Sequence, residues 1–122
     1  MKLLLGMGAS EAAFDALDET VERVKAAGDD LTVAILATPD TTFDAEEIES
    51  RVEDRLDEAG VDAEIRTVTG DPGSGLVELA DSGDYDRVVI GGGERSPLGK
   101  ITLGEVAEFV LLNAETSVTL VR

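Results

Sequence analysis

The chain has 122 residues, no Cys and no His, and 27 acids against 10 bases, which gives a formal net charge of −17. With 43% hydrophobic residues, that length makes one domain, 1–122, able to bury roughly two thirds of its unfolded surface without disulfide or metal. The charge excludes the basic surface that a nucleic-acid binder needs to displace counterions; the missing residue types exclude thiol nucleophiles, Cys- or His-ligated zinc and Ser-His-Asp catalysis.

The first apolar run, Lys2 to Met7, reads as a buried strand closing on Gly6-Met7-Gly8. It is too short for a signal peptide, and acids follow at Glu11 and Asp15. No run approaches the roughly 20 apolar residues that span a bilayer, so a cytoplasmic protein with no membrane insertion is expected. Ala13, Ala16, Leu17, Thr20, Val21, Val24 and Ala27 keep helical spacing. Ser10 suits the N-cap of that helix and Gly28 its C-terminal stop. Leu31 to Ala37 is a second strand, apolar almost throughout as a strand covered on both faces must be. Ile48, Val52, Leu56 and Ala59 mark a second helix, with Asp44 and Glu47 as a capping pair and Gly60 as its end. Ala63 to Val68 is a third strand with Glu64 and Arg66 facing outward. Asp71-Pro72 opens a short helix, Asp as N-cap and Pro at the first helical position. Arg87 to Ile90 is a fourth strand that runs into Gly91-Gly92-Gly93. Beyond a loop, Leu103, Val106, Ala107, Val110 and Leu111 keep helical spacing, and Ser117 to Val121 is a fifth strand.

Strands alternating with helices of this length imply the α/β class: a single doubly wound parallel five-stranded sheet, helices on both faces, joined by right-handed crossovers. Such sheets place ligands beyond the carboxyl ends of the strands, where the strand order reverses. That rim collects the loops after Met7, Ala37, Thr69 and Ile90, and two of the four are glycine-rich.

Glycines at 91, 92 and 93 allow a sharp turn that brings backbone N–H groups close to a ligand. Arg95, Ser96 and Lys100 add two cations and a hydroxyl, and a helix N-terminus near Gly104 adds its dipole. Together these make a candidate anion seat; a plain turn also accounts for the three glycines. Gly6-Met7-Gly8 starts like a dinucleotide fingerprint, but Glu11 stands where the third Gly belongs, and Gly99-Lys100-Ile101 lacks the Walker A spacing and its Ser/Thr. Asp40, Asp71 and Glu94 are acids of the rim with oxygen ligands suited to Mg²⁺. Solvated loop acids and a helix cap account for them as well, so no metal site and no catalytic residue is assigned.

From Gly70 onward the sequence resembles the universal stress protein (UspA) domain family. Gly70-Asp71-Pro72 is similar to that family's entry into its third helix, and Asp84-Tyr85-Asp86-Arg87-Val88-Val89-Ile90-Gly91 to the strand before its glycine loop. Arg95-Ser96 and Leu103 to Glu108 resemble the residues across that loop and into the last helix, and Ser117 to Arg122 the terminal strand. The resemblance covers nearly the whole chain in element order. It implies a Rossmann-like, adenine nucleotide alpha hydrolase-like sheet of order 3-2-1-4-5, and a stress-response module that binds or regulates and is not an enzyme.

The ATP-binding branch of that family carries G-x2-G-x9-G-(S/T) here and an Asp at the end of the first strand. Gly91 and Gly104 match; Glu94, Glu105 and Gly8 do not. A carboxylate at 105 beside a phosphate costs on the order of 1–4 kcal/mol in like-charge repulsion, depending on the local dielectric. The resemblance therefore implies weak or no ATP binding. The candidate rim is Gly6, Met7, Gly8, Ser10, Ala37, Gly91, Gly92, Gly93, Arg95, Ser96, Gly104 and Glu105. Its alternative occupant is ATP or another adenine nucleotide, in a switch with at most slow hydrolysis. A third reading, regulation of a membrane transporter, follows from the family's occurrence beside or within such proteins. In the family the terminal strand commonly pairs across a two-fold axis, so Val118, Thr119, Leu120 and Val121 are the candidate interface of a homodimer, with Phe109 and Leu112 adding apolar contact.

Three Lys, seven Arg and 27 acids resemble the composition of proteins from salt-accumulating cells; a mesophilic acidic protein is the other reading. Like-charge repulsion opposes the compact state, and salt screens it, with a Debye length of about 3 Å at 1 M. The melting temperature should therefore climb with KCl well past the molar range, as followed by circular dichroism; a flat response would remove the halophile reading.

Overall fold

The computed structural model describes residues 1–8, 11–36, 45–91, 93–95, 101–103 and 105–121, with the backbone alone for 11–12, 45, 93–95, 101–103 and 105. In chain order the elements are β1 (Lys2–Met7), α1 (Glu11–Ala27), β2 (Asp30–Leu36), α2 (Ala45–Ala59), β3 (Ala63–Val68), α3 (Pro72–Ser82), β4 (Arg87–Gly91), β5 (Gly93–Arg95), β6 (Ile101–Leu103), α4 (Glu105–Asn113) and β7 (Ser117–Val121).

A parallel strand with helices above and below must be apolar on both faces. In β1 every residue from Leu3 to Met7 is buried, and in β2 every residue from Leu31 to Leu36. These two strands take the middle of a five-stranded sheet of order β3-β2-β1-β4-β7. All four pairings are parallel. In terms of the five strands expected from sequence, the order is 3-2-1-4-5.

The chain leaves β1 in one direction, through α1 and α2 to β2 and β3, and then crosses back through α3 to β4. Each direction puts its helices on a different face. One core joins α1 and α2 to the sheet through Leu5, Phe14, Leu17, Val33 and Val52. The other joins α3 and α4 through Leu4, Leu36, Leu76, Val88 and Val110.

The helix ends follow their sequence signals. Gly60 takes a left-handed φ of 70° after α2. There its N–H donates to the Asp57 carbonyl at 3.1 Å, and the Val61 N–H to the Leu56 carbonyl at 3.0 Å. This double bond pattern satisfies the last carbonyls of a helix, and it favours Gly because other residues meet a Cβ clash at that φ. Gly28 ends α1 with a single bond to Val24 at 2.8 Å. Ser10 and Asp44, the expected caps of α1 and α2, lie outside the described residues. Across the outer surface Arg55 pairs with Asp18, and the Arg51 and Arg55 guanidinium groups lie 4.1 and 5.1 Å from the Phe14 ring centroid.

Three expectations are corrected. The segment after the glycines is not a plain loop: β5 and β6 form an antiparallel pair, with Glu94 opposite Thr102 and Arg95 opposite Ile101. Leu103 therefore ends β6, opposite Gly93, and does not open the last helix. Leu111, spaced as a core residue, is 40% exposed, while Ala107 and Val110 carry the packing of α4. The last strand is the sheet's edge, with Val118 and Leu120 packed toward α3 and α4 and Val121 toward α1. No described helix is long and apolar enough to cross a membrane.

Candidate functional site

Parallel registry brings the strand ends to one rim. Met7 lies opposite Ile35, Gly6 opposite Ile90, and Gly91 opposite Val121. Order reverses at β1, which has β2 on one side and β4 on the other. The crevice expected of a doubly wound sheet thus opens past Met7 and Gly91, and the β5–β6 hairpin leaves from its β4 side. Strands of three residues are too short to show alternation, so the hairpin left no readable period in the sequence.

The candidate rim residues divide by what each does. Gly8 follows β1, and a Cβ built on it meets nothing within 4 Å. Gly6 lies one turn of the pleat deeper, inside the sheet. A Cβ there would stand 2.5 Å from Leu76 Cδ2, and Leu76 of α3 is fully buried. The missing side chain of Gly6 is the space that seats α3 on the sheet. Met7 is 2% exposed and belongs to the α1-side core. Gly91 ends β4 on the rim, half-buried, and the backbones of Gly93 and Arg95 are in the hairpin. Glu105 is the first residue of α4. A negative charge in a first turn itself complements the helix dipole and so competes with any phosphate brought there. Ser10, Ala37, Gly92, Ser96 and Gly104 lie outside the described residues, as do Asp40 and Lys100.

Asp71, on the same rim, caps α3. Its Oδ2 accepts from the Ser74 N–H at 2.9 Å and its carbonyl from the Gly75 N–H at 2.9 Å. The bond from Ser74 holds its carboxyl below the ordinary carboxylate range. This carboxylate is committed to the helix end, which is the capping role read from Asp71-Pro72. The link between Gly6 and Leu76 was not read from sequence; its signal was a glycine in the middle of an apolar strand, where it weakens the strand unless something packs against it.

The sequence model of the universal stress protein family matches residues 1–122. The chain belongs to the universal stress protein family. A universal stress protein of Mycolicibacterium smegmatis is 32% identical over 125 residues, covering 98% of this chain and 96% of that protein. The solved structure of a universal stress protein from Archaeoglobus fulgidus superposes with a TM-score of 0.83 at 24% identity, covering 100% of this chain and 98% of that one. A universal stress protein solved in complex with cAMP superposes with a TM-score of 0.78 at 29% identity, covering 100% of this chain and 96% of that one. The family and its Rossmann-like parallel sheet agree with the order found here.

The two glycines of the first loop should separate in mutagenesis. Gly6→Val forces Leu76 out of place and should lower stability by about 1–3 kcal/mol, the usual cost of overpacking a core. Gly8→Ala enters open space and should leave the urea midpoint in molar KCl unchanged. Equal midpoints for both variants would refute the packing role of Gly6.

Proposed function

We propose that this universal stress protein is a regulatory binding module of the stress response and not a catalyst. The observation that carries the reading is the rim itself. It keeps the family's glycine turn after β4, yet the three positions expected to engage ATP read Gly8, Glu94 and Glu105. Two carboxylates thus stand in the sequence where the ATP motif has a glycine and a hydroxyl, in a molecule of net charge −17, and the approach of a triphosphate to such a molecule is opposed by like charge. The rim is therefore expected to hold ATP weakly.

A second reading, an adenine-nucleotide switch, is favoured by one finding: a 29% identical structure that matches this chain over its whole length is a cAMP complex. A single phosphate ester brings less charge to Glu94 and Glu105 than a triphosphate does. Arg95 and Lys100 are the cations near enough in sequence to receive it. The glycine turn supplies backbone donors in the manner of other anion-binding turns.

We further propose a homodimer through Val118, Thr119, Leu120 and Val121. The edge position of β7 supports it, since an apolar edge strand leaves a row of backbone groups free to pair. Phe109, Leu111 and Leu112 of α4 extend the apolar surface, with Leu112 77% exposed. The protein is expected to work in the cytoplasm.

Isothermal titration in molar KCl tests the nucleotide readings. cAMP or AMP should bind more tightly than Mg²⁺–ATP, and a Kd for ATP below about 10 μM, or roughly −7 kcal/mol, would overturn the weak-ATP reading. For the dimer, Leu120→Lys should yield a monomer by multi-angle light scattering; an unchanged dimer would place the interface elsewhere.

A further inference from the structure

The crossover pattern leaves one strip of the sheet bare. On the α1 face, α1 packs over β1 and β4 and α2 over β2 and β3. The strip beside β7 becomes a groove of about 400 Å³ between α1 and the sheet. Its floor is apolar, formed by Leu3, Val89 and Val121, and its wall includes the small side chains of Ala26 and Ala27. That volume lies in the usual range of small-molecule pockets, which are mostly apolar with a few placed polar groups.

The polar groups here include two of the molecule's cations. Two of its seven arginines, Arg23 and Arg87, line this one groove. Arg87 Nη1 donates to Thr119 Oγ1 at 2.8 Å. Its Nε is buried, and among the described residues it has no acceptor. Two acids also line the groove, Asp29, which is engaged by the Met1 amine at 3.1 Å, and Glu19.

We propose that the groove binds a small amphipathic monocarboxylate, with its carboxylate on Arg87 and its apolar tail along Leu3, Val89 and Val121. The guanidinium is planar and matches a carboxylate in shape and charge, which an ammonium would not. One negative charge suits two arginines offset by Glu19, whereas a polyanion would be repelled by the molecule's overall charge. The groove lies between α1 and the edge strand, and among the described residues none of the candidate rim residues lines it, so this site is separate from the proposed nucleotide rim.

Octanoate is the probe, titrated calorimetrically in molar KCl and followed by amide shifts. It should bind saturably and move the amides of Thr20, Val89 and Val121, while octylamine, with the same tail and the opposite charge, should bind at least tenfold more weakly. Arg87→Met should weaken octanoate at least tenfold, and Ala26→Trp, an exposed helix position whose new ring fills the groove, should abolish binding while leaving the cAMP titration unchanged. Absence of octanoate binding, equal binding of octylamine, or full affinity in Ala26→Trp would each overturn the proposal. If Arg87→Met does not fold, the Ala26→Trp result and the octylamine comparison decide it alone.

Discussion

The position of the first strand governs everything else. β1 is hydrogen-bonded in parallel to β2 on one side and to β4 on the other, so the chain must depart from it twice in opposite directions. Parallel neighbours require crossovers, and crossovers are right-handed. The two departures therefore place their helices on opposite faces, and both faces of β1 must be apolar. Leu4 and Leu5 point to different cores and neither is exposed. Burying such a side chain is worth about 1.5–3 kcal/mol, which is a sizeable part of the net stability of a domain this size. The same reversal opens the crevice at the strand ends and leaves the strip beside β7 without a helix.

Much of this was legible because the constraints are local. A doubly covered strand has no polar face to hide, so Leu31 to Leu36 announces itself. Helix ends are marked by residues with specific backbone demands, and Gly28, Gly60 and Asp71-Pro72 each stand where such an end occurs. Three features were illegible for the opposite reason. The β5–β6 hairpin has too few residues per strand to show a period, and Leu103 sits by coincidence three and four residues before Val106 and Ala107. The exposure of Leu111 depends on how α4 lies over α3 and β7, which no spacing within the helix records.

The site was only partly readable for a related reason. Gly6 and Gly8 look alike in the sequence and differ completely in surroundings, one against Leu76 and the other open. The groove beside β7 draws on α1, β1, β4 and β7, segments more than a hundred residues apart at their extremes. Only topology brings Leu3, Arg23, Arg87 and Val121 together. An arginine at the head of an apolar strand was the one visible hint.

The pairing of Leu3 with Arg87 also carries a cost in time. During synthesis β1, β2 and β3 can assemble from nearby sequence, but the second side of the central strand has no mate until residues 87–91 emerge. Closing contacts of that separation is slow, and until then an apolar strand shows open backbone groups of the kind through which nascent chains clump. The early helix α1 carries Asp15, Asp18, Glu19 and Glu22, and net charge of one sign is a general physical check on the association of unfinished chains.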